Sequence, residues 1–407
     1  MVVGPPCGSK TTIIQTLSAA LGMMEGDQPI HVEVLNPKTL TQAQLIGSLD
    51  PVNREWSDGL VAQVIRQAHV RRTWLLFDGP TDASWVENLN TALDDSQKLC
   101  LPSGETVPVP GDMATIFEVL DLSQASPATV SRCGMVYVGG QTIGWAALLH
   151  SWLHHHAHGP WWGEYGALLR ELANWLIPPA LEFVKAHCRY LLPVVEVSLV
   201  RSIFPLTATV VNEVLQDGSI SQKDRPKVGP TWTTASFLFS VTWCIAGALT
   251  LPAKEAFNVF FRRLVMGYIR QHPTPSMIEQ IGCPYPGDGS VFDVLFDAKQ
   301  RSFWRPWTDV IKHTEIQETT KISTLLVPTV ESARLSYLVD VCGRATNGIL
   351  LVGEGQSGRK VVVRHHLKNL ATDASEYVIL PVTPAATALS VKVDLIPSRL
   401  SAPSLWC

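Results

Sequence analysis

The sequence predicts an α/β fold: a parallel sheet flanked by helices, continued by an all-helical region and then by a partial second copy of the α/β plan. Three observations carry this. Apolar runs alternate with amphipathic stretches over the first 140 residues, the rhythm of strand–helix–strand units. A glycine-bearing loop, "GPPCGSKTT" from Gly4 to Thr12, joins the apolar "MVV" to an amphipathic helix. Near the other end, "GILLVGEGQSGRKVVVRHHLKNL" repeats that order of apolar strand ("ILLV"), glycine loop and amphipathic helix, as tandem domains do.

Taken in order, "TTIIQTLSAALGMM" (11–24) reads as the helix opened by the first loop, and "HVEVLNP" (31–37) as a strand. "LVAQVIRQAHVRR" (60–72) has helical periodicity, and "TWLLFDGP" (73–80) is a buried strand ending on an acid. "WVENLNTALDDSQ" (85–97) predicts a helix, "LCLPSGETVPV" (99–109) a hairpin turning at Pro102-Ser103-Gly104, and "TIFEVLDL" (115–122) a further strand. From Trp145 to about Val265 long helical periodicity takes over, as in "EYGALLRELANWLIPPALEFVKAH", broken by the polar "QDGSISQKDRPKVGP". The Pro- and Gly-rich "HPTPSMIEQIGCPYPGDGS" (272–290) marks a boundary, after which the second copy begins.

With 407 residues, 46% of them hydrophobic and 13 of them Trp, the chain has ample material for packed cores and is globular. Thirty-two basic residues against 36 acidic ones, a net charge of −4, leave no general polyanion-binding surface, which argues against nucleic acid. Eight cysteines without a C-x-x-C pair suit a reducing compartment, and the N-terminus lacks a secretory pattern. Val228 to Ala253 is uncharged and long enough to span a bilayer. Its Ser236, Ser240, Thr242, Thr250 and Pro252, and the charged residues immediately after it, favour a buried helix instead, so no membrane is expected.

The first loop nearly spells G-x-x-x-x-G-K-[ST], the phosphate loop, in which backbone N–H groups at a helix N-terminus turn toward an anion. Lysine then reaches the outer phosphates, and the hydroxyl binds Mg²⁺. Gly4, Lys10 and Thr11 are in place, but Ser9 stands where the second glycine belongs, with Gly8 one position early to restore some backbone freedom. Asp78, ending "LLFD", sits where a Mg²⁺-orienting acid belongs, so Thr11 and Asp78 are the expected metal contacts. A hydrolysing site needs a second carboxylate beside that acid; the residues here are Gly79 and Pro80, so the expectation is ATP or ADP with Mg²⁺ bound but not cleaved. The competing reading makes the loop tight chain geometry and Asp78 a helix cap. The second loop keeps Gly353 and Gly358 but has Arg359 at the lysine position and Lys360 at the hydroxyl position, and so is expected to be degenerate.

Longer stretches carry a family resemblance. "LNPKTLTQAQLIGSLDPVNREWSDGLVAQVIR", "WLLFDGPTDASWVENLNTALDDSQKLCLPSGE" and "IFEVLDLSQASPATVSRCGMVYV" resemble the second AAA+ module of dynein heavy chains. "GDGSVFDVLFDAKQRSFWRPWTDVI" and "LLVPTVESARLSYLVDV" followed by "GILLVGEGQSG" resemble the approach to the third module and its opening. Within the group the chain resembles a divergent dynein heavy chain domain-containing protein. The resemblance implies a P-loop NTPase (AAA+) large subdomain over 1–140, a helical small subdomain over 141–265 and a partial third module over 266–407. It implies nucleotide contacts at Lys10, Thr11 and Asp78, a structural rather than hydrolysed ATP, and an arginine finger at Arg132 toward a neighbouring module. Asp121 is assigned the sensor position after the fourth strand. Implied partners are other AAA+ modules of the ring, dynein intermediate and light chains and, indirectly, microtubules. The implied place is the cytoplasm and cytoskeleton, in a ciliary or flagellar axoneme, and the implied role is minus-end-directed motility as part of a larger heavy chain. Ser9, Cys7, Arg359 and Lys360 depart from the family pattern, as does the tail "PSRLSAPSLWC", which reads as an alternative or truncated product.

Two other functions stand beside this one: a nucleotide-free scaffold and an independent AAA+ ATPase. His150, His154 and His158 in "LLHSWLHHHAHGPWW" share a helical face, a geometry that a transition metal can use, but a solvated helix end explains them better.

Overall fold

The computed structural model describes residues 1–24, 29–140, 142–159, 161–216, 225–279, 281, 285–297, 304–311, 327–346, 348–369, 379–380 and 383. The chain divides into two compact units, Met1–Arg170 with Arg189–Arg201, and Glu171–Cys188 with Ser202–Cys407.

The first unit is built on a five-stranded parallel sheet. Across the sheet the strands run His31–Leu35, Thr73–Asp78, Ala114–Val119, Val2–Val3 and Val136–Tyr137. Because strand side chains alternate between faces, "TWLLFD" serves both layers. Leu75 and Phe77 join the larger core with Leu45, Ile46, Val61, Ile65, Trp85, Val86, Phe117 and Val119. Trp74 and Leu76 join Ile14 and Ile30 on the opposite face, with Val2, Val32, Ala114 and Ile116 packed around them. Ile14 belongs to the Lys10–Met24 helix, which therefore covers that second face. Phe77 lies centrally on the first, stacked on Phe117 (centroids 5.2 Å apart) and tilted against Trp85 (5.0 Å).

The strands expected at 31–37, 73–80 and 115–122 and the helices expected at 11–24 and 60–72 are present, the second helix as Leu60–Ala68. So is the hairpin, Lys98–Cys100 against Thr106–Pro108 with Gly104 at φ 88° in its turn. The helix expected over 85–97 is instead three short turns, Ala83–Val86, Glu87–Leu89 and Asn90–Leu93. Asp82 caps the first turn, accepting from Ser84 N (2.9 Å), while inside the segment Asn88 Nδ2 donates to Trp85 O (3.2 Å), a bond that competes with regular helix. A second small hairpin, Gly47–Leu49 with Trp56–Asp58, adds to the sheet's surroundings.

Helices continue the chain at Gly144–His156, Trp162–His187, Glu196–Gln216, Arg225–Ala246 and Leu251–Val265. Within the second unit, the uncharged segment is part of the Arg225–Ala246 helix, with Trp232, Phe237, Phe239 and Val241 buried. Three of its hydroxyls bond back to their own helix, Thr234 to Pro230 O at 2.9 Å and Ser240 to Ser236 O and Thr242 to Leu238 O at 2.8 Å, while those of Thr233 and Ser236 are buried without a partner. Among the described residues, no helix is long and apolar enough to cross a membrane. Residues 217–224 of the polar connection lie outside the described residues. Among the described residues, the strand expected at "ILLV" has no ladder partner over 348–354, and Leu350 is exposed. An apolar run becomes a strand only where a neighbouring strand accepts its hydrogen bonds.

Removing the central ring of the larger core is costly. Phe77→Ala is expected to destabilise the first unit by about 3–5 kcal/mol, read as a fall in its urea unfolding midpoint.

Candidate functional site

The site is assembled at the carboxyl end of the parallel sheet, where open α/β sheets hold their ligands. Register decides which side chains meet there. Asp78 lies opposite Glu118 on the next strand, and Glu118 opposite Val2, the residue two before Gly4. By alternation Asp78 and Glu118 share the face that carries Trp74, Leu76 and Ile116, the face covered by the Lys10–Met24 helix. Sheet and helix N-terminus thus enclose a cavity of about 870 Å³, lined by residues including Gly8, Ser9, Lys10, Thr11, Lys38, Asp78, Glu118, Asp121 and Arg201.

The loop's backbone is strained where glycine is missing. Ser9 has φ 67° and Cys7 φ 60°, both in the left-handed region. Gly8 is not among the positive-φ residues, so it does not supply the freedom expected of it; the serine itself adopts the glycine conformation. Such a residue costs roughly 1–2 kcal/mol. Gly4 is required for room: a Cβ there would lie 2.0 Å from Val138 O.

Lys10 is 8% exposed, and its Nζ donates to the loop's own carbonyls, Gly4 O at 2.6 Å and Pro5 O at 3.0 Å. Thr11 Oγ1 donates to Glu118 Oε1 at 2.6 Å, a bond that ties the helix start to the sheet. Glu118 is 9% exposed, and its Oε2 is buried with no hydrogen-bond partner. Asp78 is exposed on the cavity wall. Asp121 also lines the cavity and accepts from Ser123 Oγ (2.5 Å) and Ser123 N (2.9 Å), bonds that hold its carboxyl below the usual carboxylate range.

The remaining expected residues lie elsewhere. Arg132 closes the Pro127–Arg132 helix, with Nε 2.5 Å from Asp94 Oδ1 and a second nitrogen donating to Ala128 O (2.8 Å). The second loop has Gln356 at φ 64° and Gly358 at φ 79°, and Gly353 sits against the Arg359 side chain. Arg359 fills that loop, donating to Glu354 O (2.8 Å), Leu351 O (3.2 Å) and Ser357 Oγ (2.9 Å). No group of three or more His, Cys, Asp or Glu suited to a metal occurs among the described residues.

Sequence reasoning missed Glu118, Lys38 and Arg201. Glu118 had a signal, an acid interrupting the otherwise apolar "IFEVL". Lys38 and Arg201 had none, since a lysine after a strand and an arginine on an amphipathic helix are ordinary surface residues.

Family models match in three consecutive parts. They are an AAA domain of the dynein-related subfamily over residues 1–133, a dynein heavy chain AAA lid domain over 169–309 and a P-loop containing dynein motor region over 314–401. The chain belongs to the dynein heavy chain family. Among its relatives, dynein axonemal heavy chain 12 of Rattus norvegicus is 36% identical over 91% of this chain and 12% of its own length. Dynein axonemal heavy chain 3 of Mus musculus is 33% identical over 98% and 10%, and dynein axonemal heavy chain 1 of Homo sapiens 28% identical over 98% and 10%. This dynein-family chain therefore spans about a tenth of the length of the curated relatives it matches. Its fold is that of the AAA+ P-loop NTPases, a parallel sheet with flanking helices.

The left-handed serine generates a prediction. Ser9→Gly is expected to raise the nucleotide-free thermal unfolding midpoint, a gain of about 1 kcal/mol, while Ser9→Val, with a β-branched residue at the same φ, lowers it.

Proposed function

We propose that this chain is a nucleotide-holding segment of a dynein-type motor ring, binding ATP or ADP with Mg²⁺ at the first loop without cleaving it. One observation carries the reading: Ser9, Lys10, Thr11, Asp78, Glu118 and Asp121 line a single cavity at a helix N-terminus. Its volume is within the range of small-molecule sites. The unsatisfied N–H groups of the first helical turn offer anion-binding donors, and Lys10 needs only to exchange two carbonyls for phosphate oxygens.

The cavity also fits a hard cation. A buried, orphaned carboxylate oxygen stands beside a threonine hydroxyl, with Asp78 on the same wall. Thr11 and Asp78, with Glu118 behind the threonine hydroxyl, are the residues that would hold Mg²⁺, which would supply neutralisation of the phosphate charge. For hydrolysis the site would also have to orient and deprotonate a water. Gly79 puts no carboxylate beside Asp78, and Glu118 on the next strand, held by Thr11 through Oε1, has its open Oε2 beside the hydroxyl on the proposed cation's side. Holding without turnover is the chemistry these groups support.

At the second loop Arg359 spends its donors on loop carbonyls, and Lys360 offers no oxygen to a metal, which supports a nucleotide-free second module. The division into 1–140, 141–265 and 266–407 belongs to the same reading. Arg132 is assigned as a finger toward a neighbouring module, its pairing with Asp94 being its resting position. The relatives' names place them in axonemes, which supports a ciliary or flagellar, cytoskeletal setting, with the other ring modules and dynein intermediate and light chains as partners. Microtubule movement would be served only through a larger chain. A nucleotide-free scaffold is the second reading, favoured by the way Lys10 already satisfies the loop from within.

Two measurements decide among these readings. ATP or ADP at about a hundredfold over Kd is expected to stabilise the chain by roughly 2.7 kcal/mol, and Lys10→Ala abolishes the effect; absence of any shift in the unaltered chain means a scaffold. Phosphate release from ATP should not exceed the protein-free rate, and sustained release would make the chain an ATPase.

A further inference from the structure

We propose that Glu118, and not Asp78 alone, is the acid that secures the divalent cation at this site, acting as a positioning residue through Thr11; the inference rests on the nucleotide-holding function proposed for the first loop. Glu118 has a place that no apolar strand residue needs. It is nine-tenths buried, one oxygen accepts the Thr11 proton at 2.6 Å, and the other is buried without a partner. Among the described residues no cation pairs with either oxygen. A buried carboxylate left half-satisfied is unfavourable unless something positive arrives, and the cavity it lines is where a nucleotide would bring its metal.

Thr11 explains how. A hydroxyl has one proton and two lone pairs. Donation to Glu118 fixes the rotor, so the lone pairs point away from that carboxylate and are free for a cation. Mg²⁺ accepts oxygen ligands only, keeps several waters and is bound through one or two carboxylates with substrate phosphates. Glu118 Oε2 is an acceptor for such a water. Asp78 occupies the same register row on the neighbouring strand, so the two acids flank one point at the sheet's end. Asp78, exposed on the wall, is then the second acid rather than the sole one.

The test compares the affinity of the chain for ATP in excess Mg²⁺ with its affinity in EDTA, by equilibrium dialysis, for the unaltered chain, Glu118→Gln and Asp78→Asn. The unaltered chain should prefer the Mg²⁺ form at least tenfold. Glu118→Gln should reduce that ratio to about one while leaving metal-free ATP binding the same or tighter, since a negative charge near the phosphates is gone. Asp78→Asn should keep part of the preference. A Glu118→Gln chain that retains the full Mg²⁺ preference overturns the proposal, as does steady ATP hydrolysis that disappears in this variant, which would make Glu118 a base. Should Glu118→Gln fail to fold, Glu118→Asp decides: one methylene shorter, it must also lose most of the preference, and its retention overturns the assignment. Failure of the nucleotide reading looks different, with no ATP binding by the unaltered chain in either condition.

Discussion

The hydrogen bond from Thr11 to Glu118 joins two parts of the chain 107 residues apart, and the geometry of the first unit depends on what makes it possible. Parallel pairing sets Val2, Glu118 and Asp78 in one row, so the strand that feeds the loop and the two strands that carry the acids end together. Alternation then turns both acids to the face that the Lys10–Met24 helix covers. A slip of one residue in the pairing of Ala114–Val119 would send Glu118 into the aromatic core around Phe77 and Trp85 and bring Phe117 or Val119 to the loop. The packing of Phe77 on Phe117 is therefore what keeps the polar row in place, although neither ring touches the cavity.

The polar groups of this site are balanced against one another rather than against water. A buried ammonium satisfied by two carbonyls has charge-assisted hydrogen bonds but no counter-ion among the described residues, and a buried carboxylate with one open oxygen is in the same position. Lys10 and Glu118 do not neutralise each other, because Lys10 turns back into the loop while Glu118 is held by the hydroxyl. Such an arrangement is stable enough to persist and open enough to change. The two left-handed residues in the loop add to this, since their conformation must be maintained by surrounding contacts.

Much of this was legible in the sequence. "TWLLFD" announces a strand buried on both faces, and the spacing from Gly4 to Thr11 identifies a phosphate loop even with serine in a glycine slot. Glu118 was hard to see because a single acid in "IFEVL" is overruled by its apolar neighbours in any pattern count, and its partner comes from the opposite end of the unit. Residues 85–97 have helical periodicity, but periodicity does not register an Asn side chain such as that of Asn88, which bonds the local backbone in competition with a regular helix. "ILLV" has strand composition, yet a strand is a relation between segments, and composition describes only one of them.

In the second loop an arginine has taken the lysine position, and the loop has closed on it. Its guanidinium bonds Glu354 O, five residues back, as Lys10 bonds Pro5 O five residues back in the first loop, and it adds Leu351 O and Ser357 Oγ. A side chain with five donors can thereby stand in for the guest that a cradle was built to receive. A loop held from within in this way keeps its outline whether or not a ligand is present, and so does any surface that rests on it.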